Sequence, residues 1–225
     1  MTGLPLRSRI RATSLWQAYH RRRYAILFYV LLLTLLAMAV VTAFDLPALL
    51  IRLLVGSCLL AAVMPNATKR TRLLLLATVL LLILAQFLPD RGDLSRLPLF
   101  VRGLIAFAGL LSAAGSLRFV VTSKVVRSEI VYAALSTYLL AGMFFGQIYW
   151  LVESFHAGSI VGPDPFSEFN AVYYSFVTLA TLGYGDFVPR TAITRGIASF
   201  EVISGQLFLA VLVARLIGAF ATDEA

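Results

Sequence analysis

The residues best equipped for chemistry fall in one run, Thr178-Leu179-Ala180-Thr181-Leu182-Gly183-Tyr184-Gly185-Asp186. Two glycines one residue apart let the backbone take left-handed dihedrals without a Cβ penalty. The hydroxyls of Thr178 and Thr181 and the Asp186 carboxylate supply side-chain oxygens beside them. A bare Gly-Tyr-Gly also occurs in turns and in glycine-packed helix crossings, so its surroundings decide what it means. Little else in the chain is reactive. The single cysteine, Cys58, excludes an intramolecular disulfide framework, and no Cys/His cluster has the spacing of a structural zinc site. No enzyme activity and no bound cofactor are expected.

The elements that must position this run are membrane helices. Of 225 residues, 60% are apolar and 13% charged, with a mean hydropathy of +0.89. Soluble domains average roughly 45–50% apolar and about 25% charged residues, so this composition cannot build a water-exposed surface. A helix crossing the ~30 Å hydrocarbon layer uses about 20 residues. The apolar runs Tyr24–Phe44, Leu46–Met64, Leu73–Leu88, Leu97–Leu117, Ile130–Leu151 and Ile193–Phe220 give six candidate spans. The apolar run of the first exceeds the ~7–15 residues of a secretory signal, so it is read as a span.

Lys and Arg in short loops set orientation. Arg7, Arg9, Arg11 and Arg21–Arg23 precede the first span, Lys69, Arg70 and Arg72 follow the second, and Arg118, Lys124 and Arg127 follow the fourth. These belong on the cytoplasmic side, which places both termini inside a plasma or inner membrane. The opposite side holds Asp45, Asp90, Asp93, Glu153, Asp164, Glu168 and Asp186, so the net charge of +8 is a property of the inner face. It suits anionic lipid headgroups and does not imply nucleic acid. The N-terminal stretch around Ile10, Leu15, Trp16 and Tyr19 has rough helical spacing, open to an interfacial helix or a disordered tail.

One connection is exceptional. Val152–Ala192 is 41 residues long, starts polar, and turns semi-apolar over Phe166–Leu182. Pro165 and Ser167 suit a helix start, with about four turns before the glycines. This is the pattern of a re-entrant half-helix, and backbone leaving it at membrane depth must be buried by protein or line a water-filled cavity.

In that setting the run from Thr178 to Asp186 resembles the signature sequence of the potassium channel family, and the likeness extends over about Glu129–Phe220. The resemblance implies a filter of backbone carbonyls from Thr181, Leu182, Gly183, Tyr184 and Gly185 that replaces the hydration shell of K⁺. The Thr181 hydroxyl adds an oxygen, Asp186 sits at the outer mouth, and Thr178 stands on the pore helix. Leu182 departs from the more usual Val or Ile, and Tyr173 and Tyr174 stand where several relatives have tryptophans; either phenol is a candidate partner for Asp186. One loop forms one wall, so the implied pore is a homotetramer. The implied fold is all-α, with six transmembrane helices, a re-entrant pore helix and a filter loop around a central axis. Its parts are a basic segment 1–23, a peripheral four-helix module 24–118 and a pore domain 129–221. Gly205 occupies the place of a glycine that lets the inner helix bend, or alternatively permits close packing. Glu201, the one acid inside a span, is a functional residue by default: a buried partner of the pore helix, a permeation or proton-sensing group, or the lining of a water-filled crevice. A subunit of a potassium uptake system is the alternative function, though such systems place four loops in one chain; a non-conducting scaffold is another.

A voltage sensor would need a fourth span with arginine at every third position, opposed by acids in its neighbours. Here that span carries Arg102 and, at its end, Arg118; the second carries Arg52, and the first three hold no internal carboxylate. With little room for a soluble domain, control is expected from the membrane, the filter or another protein. Purified protein is predicted to give a shallow conductance–voltage curve; a steep one would contradict this charge pattern.

Overall fold

The computed structural model describes residues 6–44, 46, 47, 50, 97–122 and 128–223. The expected second and third spans, Arg52 and the Lys69–Arg72 cluster fall almost wholly outside these residues, as do Lys124 and Arg127. Among the described residues the order is α1 (Leu6–Ala43), α2 (Leu97–Thr122), α3 (Ser128–Phe155), β1 (Ile160–Val161), α4 (Glu168–Leu179), β2 (Val188–Pro189) and α5 (Ala192–Asp223). Three helices among the described residues are long and apolar enough to cross a membrane, at Arg22–Ala43, Ser128–Phe155 and Ala192–Gly218, and α2 adds a shorter apolar stretch at Ala106–Thr122. The protein is therefore a mostly helical membrane protein.

The basic N-terminal segment is helical and runs into the first span, interrupted by one non-helical residue, Arg22 (φ −124°, ψ 19°). A helix restarting there exposes its first N–H groups without intrahelical acceptors. Glu129, in the first turn of α3, accepts a hydrogen bond from the Tyr24 amide at 3.2 Å. A carboxylate at that point also meets the positive end of the helix dipole. The Ser136 hydroxyl donates to the Tyr24 carbonyl at 3.4 Å. The Tyr24 ring stacks on Phe119 of α2 with centroids 4.9 Å apart, and the Arg23 guanidinium lies 5.1 and 5.7 Å from the two rings. One polar and aromatic joint thus ties α1, α2 and α3 together.

Helix α3 is the centre of the packing. Its Ile130, Ala133, Ala134, Leu140, Met143 and Phe144 join Tyr24, Leu27, Leu31 and Met38 of α1, Ala113 and Val120 of α2 and Val172 of α4 in one buried cluster. Gly142 and Gly146, a turn apart on α3, let α4 lie against it. A Cβ on Gly146 would sit 2.6 Å from the Val172 Cα, and one on Gly142 would sit 2.5 Å from the Phe176 ring. Small residues at this spacing allow close helix approach in membranes. By contrast, 61% of the α3 span is buried within the chain but only 11% of the α5 span. Phe200, Ile203, Leu207 and Val213 of α5 all stand exposed, so lipid or another polypeptide must cover that face.

Gly146→Val sets a side chain against backbone that cannot move aside. It is expected to cost about 1–3 kcal/mol and to lower the melting temperature in detergent, read by thermal unfolding of the purified protein.

Candidate functional site

The site is built from the start of α4. Ser167 caps this helix with extended backbone, its hydroxyl accepting from the Asn170 amide at 3.1 Å. The Asn170 side chain donates to the Pro165 carbonyl at 2.9 Å, so Pro165, Ser167 and Asn170 fix the entry together. The helix then runs for 12 residues, about 18 Å at the usual rise. This is shorter than the expected Phe166–Leu182 and far short of a ~30 Å crossing. It ends as the amides of Ala180, Thr181 and Leu182 donate to the carbonyls of Phe176, Thr178 and Val177, each at 2.9 Å.

Beyond that point the backbone alternates. Thr181, Gly183 and Gly185 have φ of +58°, +55° and +78°, and no other described residue except Gly158 has positive φ. Leu182 and Tyr184 stand between them in ordinary conformations. Left-handed dihedrals at every second residue turn successive peptide planes the same way, which brings consecutive carbonyls to one side of the strand. Nothing lies within 4 Å of a Cβ built on Gly183 or Gly185, so dihedral angle and not space demands glycine there. Thr181 holds the same region at the steric expense of its Cβ. The whole loop is exposed in a single chain, with Leu182 at 55% and Tyr184 at 66%.

The outer end of the loop is anchored. Asp186 accepts from the Phe187 amide at 3.0 Å through Oδ1, and its carboxylate neighbours the Tyr173 phenol. The Phe187 ring meets Phe166 and Tyr173 edge to face at 5.5 and 6.4 Å. Val188–Pro189 then pairs antiparallel with Ile160–Val161, while the Ser159 carbonyl accepts from the Arg190 amide at 2.8 Å and the Thr194 hydroxyl at 3.1 Å. The Glu153 carboxylate closes the preceding turn, accepting from the amides of Gly158 (2.7 Å) and Ile160 (2.9 Å).

Behind the loop, the two tyrosines part. Tyr173 lies beside Asp186; Tyr174 turns inward, is buried and packs edge-on to Tyr149 at 4.8 Å. Glu201 is fully buried. Its Oε2 accepts from the Tyr149 hydroxyl at 2.7 Å and its Oε1 from the Ser175 hydroxyl, so one carboxylate touches α3, α4 and α5. Gly205, one turn further, lies against the end of α4: a Cβ there would sit 2.9 Å from the Leu179 carbonyl and 2.8 Å from its side chain. Sequence reasoning missed Tyr149 and Ser175, whose hydroxyls look like any others in a span. It also passed over Gly142 and Gly146, although their four-residue spacing was there to be read.

Comparison with known proteins bears on this part of the chain. Residues 133–222 match the model of the ion channel family. Over 61 residues the chain is 41% identical to a protein of Rhodopseudomonas palustris named "putative potassium channel protein", covering 27% of this chain and 15% of that one. Over 75 residues it is 32% identical to YugO of Bacillus subtilis, which bears the same description, covering 33% and 20%. Two-pore potassium channel 4 of Arabidopsis thaliana is 36% identical over 64 residues, covering 28% and 22%. The chain thus spans less than a quarter of the length of each of these relatives. No solved structure matches it.

Gly183→Ala and Gly185→Ala each place an L side chain at positive φ and are expected to destabilise the loop by about 1–2 kcal/mol. Tyr173→Phe removes the hydroxyl beside Asp186 and is expected to cost no more than about 1 kcal/mol. Thermal unfolding of the purified variants in detergent measures all three.

Proposed function

We propose that four copies of this chain surround a pore that passes K⁺ down its electrochemical gradient, selected by the carbonyls of Thr181–Gly185 and the Thr181 hydroxyl. The observation that carries this reading is the alternation of left-handed dihedrals at 181, 183 and 185 on a loop leaving a half-length helix between two spans. A dehydrated cation needs several oxygens at once, and this backbone presents them in series. The ion channel match and the printed names of the relatives point the same way.

Four copies account for the surfaces one chain leaves bare. The exposed side chains of α5, Leu182 and Tyr184 gain neighbours when the loops face one another across an axis. The C-terminal end of each α4 then points its partial negative charge toward the permeant cation, and Asp186 raises the cation concentration at the mouth. In this arrangement residues 129–221 form the pore and 24–118 a peripheral module with weak or no voltage dependence. Segment 1–23 lies against anionic headgroups at the inner face of the cell membrane, with both termini cytoplasmic.

Potassium and sodium flux in liposomes containing the purified protein tests the reading. K⁺ flux with Na⁺ excluded is expected, as is loss of conduction or selectivity on replacing Tyr184 or Gly185. Protein that passes no K⁺, or passes Na⁺ equally, overturns it.

A further inference from the structure

Helix α5 touches the rest of its chain at several places, with Thr194 bonded to the Ser159 carbonyl and Phe200 and Phe208 against the rings of Phe145 and Tyr138, and it meets α4 closely at two points near the loop. Glu201 meets Ser175, and Gly205 meets Leu179. The spacing is four residues on both helices, so each pair lies one turn beyond the other on a single seam between α4 and α5. The upper point is polar and reaches a third helix through Tyr149. The lower point is steric: the α5 backbone rests on the last carbonyl of α4, with no room for even a methyl group.

The turn of α4 that carries this seam also carries the loop. Its Val177 and Thr178 carbonyls accept the amides of Leu182 and Thr181, two and three residues beyond Ser175. Displacement of Ser175 or Leu179 therefore displaces the first residues of the alternating backbone. Glutamate suits the upper point because its two oxygens accept from two hydroxyls on different helices without needing a donor of its own. A leucine there would leave both hydroxyls without an acceptor in a water-excluded site.

We propose that Glu201 is a positioning residue for the filter. Together with Gly205 it pins α5 to the pore helix, so that Gly205 is a fixed contact and any bend of α5 lies on the inner side of it. A glycine acting as a hinge needs space in which to swing, and Gly205 has none. Gly218, where an added Cβ would meet nothing within 4 Å, lies on that inner side. This proposal rests on the channel reading for its functional consequence but not for its structural one.

The test uses the full chain in liposomes, with two readouts on the same preparations: the K⁺ to Na⁺ permeability ratio, and hydrogen exchange at the amides of Thr181–Gly183. Tyr149→Phe and Ser175→Ala remove the donors with little change of shape. Each is expected to raise exchange at those amides by about tenfold, the equivalent of one lost hydrogen bond, and to lower the permeability ratio several-fold. Glu201→Leu should exceed both, and Glu201→Gln should recover part of the loss. Gly205→Ala should raise exchange as Ser175→Ala does. Unchanged exchange and unchanged ratio in Tyr149→Phe and Ser175→Ala overturn the positioning role. Unchanged exchange and an unchanged permeability ratio in Gly205→Ala overturn the pinned contact. If the wild type conducts no K⁺ while the exchange results hold, the channel reading fails and the anchoring stands.

Discussion

A helix too short to cross a membrane, set between two that can, leaves polar backbone that hydrocarbon could not satisfy, and most of this molecule follows from how that segment is held. Helix α4 is about 18 Å long, and the chain leaving it makes four amide-to-carbonyl bonds back to its last turn, from Ala180, Thr181, Leu182 and Gly183, before extending. From Thr181 to Gly185 the loop is exposed in a single chain, and such backbone is tolerable at membrane depth only where protein buries it or water reaches it. The surrounding elements serve to keep that segment in place. Helix α3 buries α4 through two glycines, α5 holds its far end, and the β1–β2 ladder fastens the outgoing chain.

The packing divides the chain into a well-supported half and a half awaiting support. The joint at Tyr24, Phe119 and Glu129 and the cluster around α3 are complete within one polypeptide. The α5 face and the loop are not. A surface that is apolar along a helix and oxygen-rich along a loop cannot be satisfied by lipid alone, because lipid covers the first and cannot hydrate the second.

How much of this was legible in the sequence depends on the range of the interaction. The half-helix could be placed from Pro165, Ser167 and the glycines because caps and left-handed turns are local chemistry; its end at Leu179 rather than Leu182 was less legible, since the closing bonds reach back into the helix. Three spans on described residues were found from hydropathy, with ends shifted by a few residues, whereas the run expected to cross at Leu97–Leu117 lies in a helix ending at Thr122 whose apolar stretch is shorter. The burial of Glu201 was suggested by its position in an apolar run, but its partners were not: Tyr149 is 52 positions away and Ser175 26. The division between Tyr173 and Tyr174 was equally hidden, because adjacent helix positions differ by a rotation that only the packed neighbours define. Gly205 showed no preference in sequence between bending and packing, and its close approach to Leu179 is a contact between residues 26 positions apart that no local pattern announces.

Charge at the outer surface invites a similar error. Glu153 reads as one of several acids facing outward, yet its two oxygens are taken up by the amides of Gly158 and Ile160, and the turn they close feeds directly into the strand that pairs beyond the loop. Its charge is an internal brace of the peptide chain more than a part of the external field. A substitution at 153 would then be a folding lesion in electrostatic disguise, with its effect on ions arriving second-hand, through a turn that no longer holds its shape.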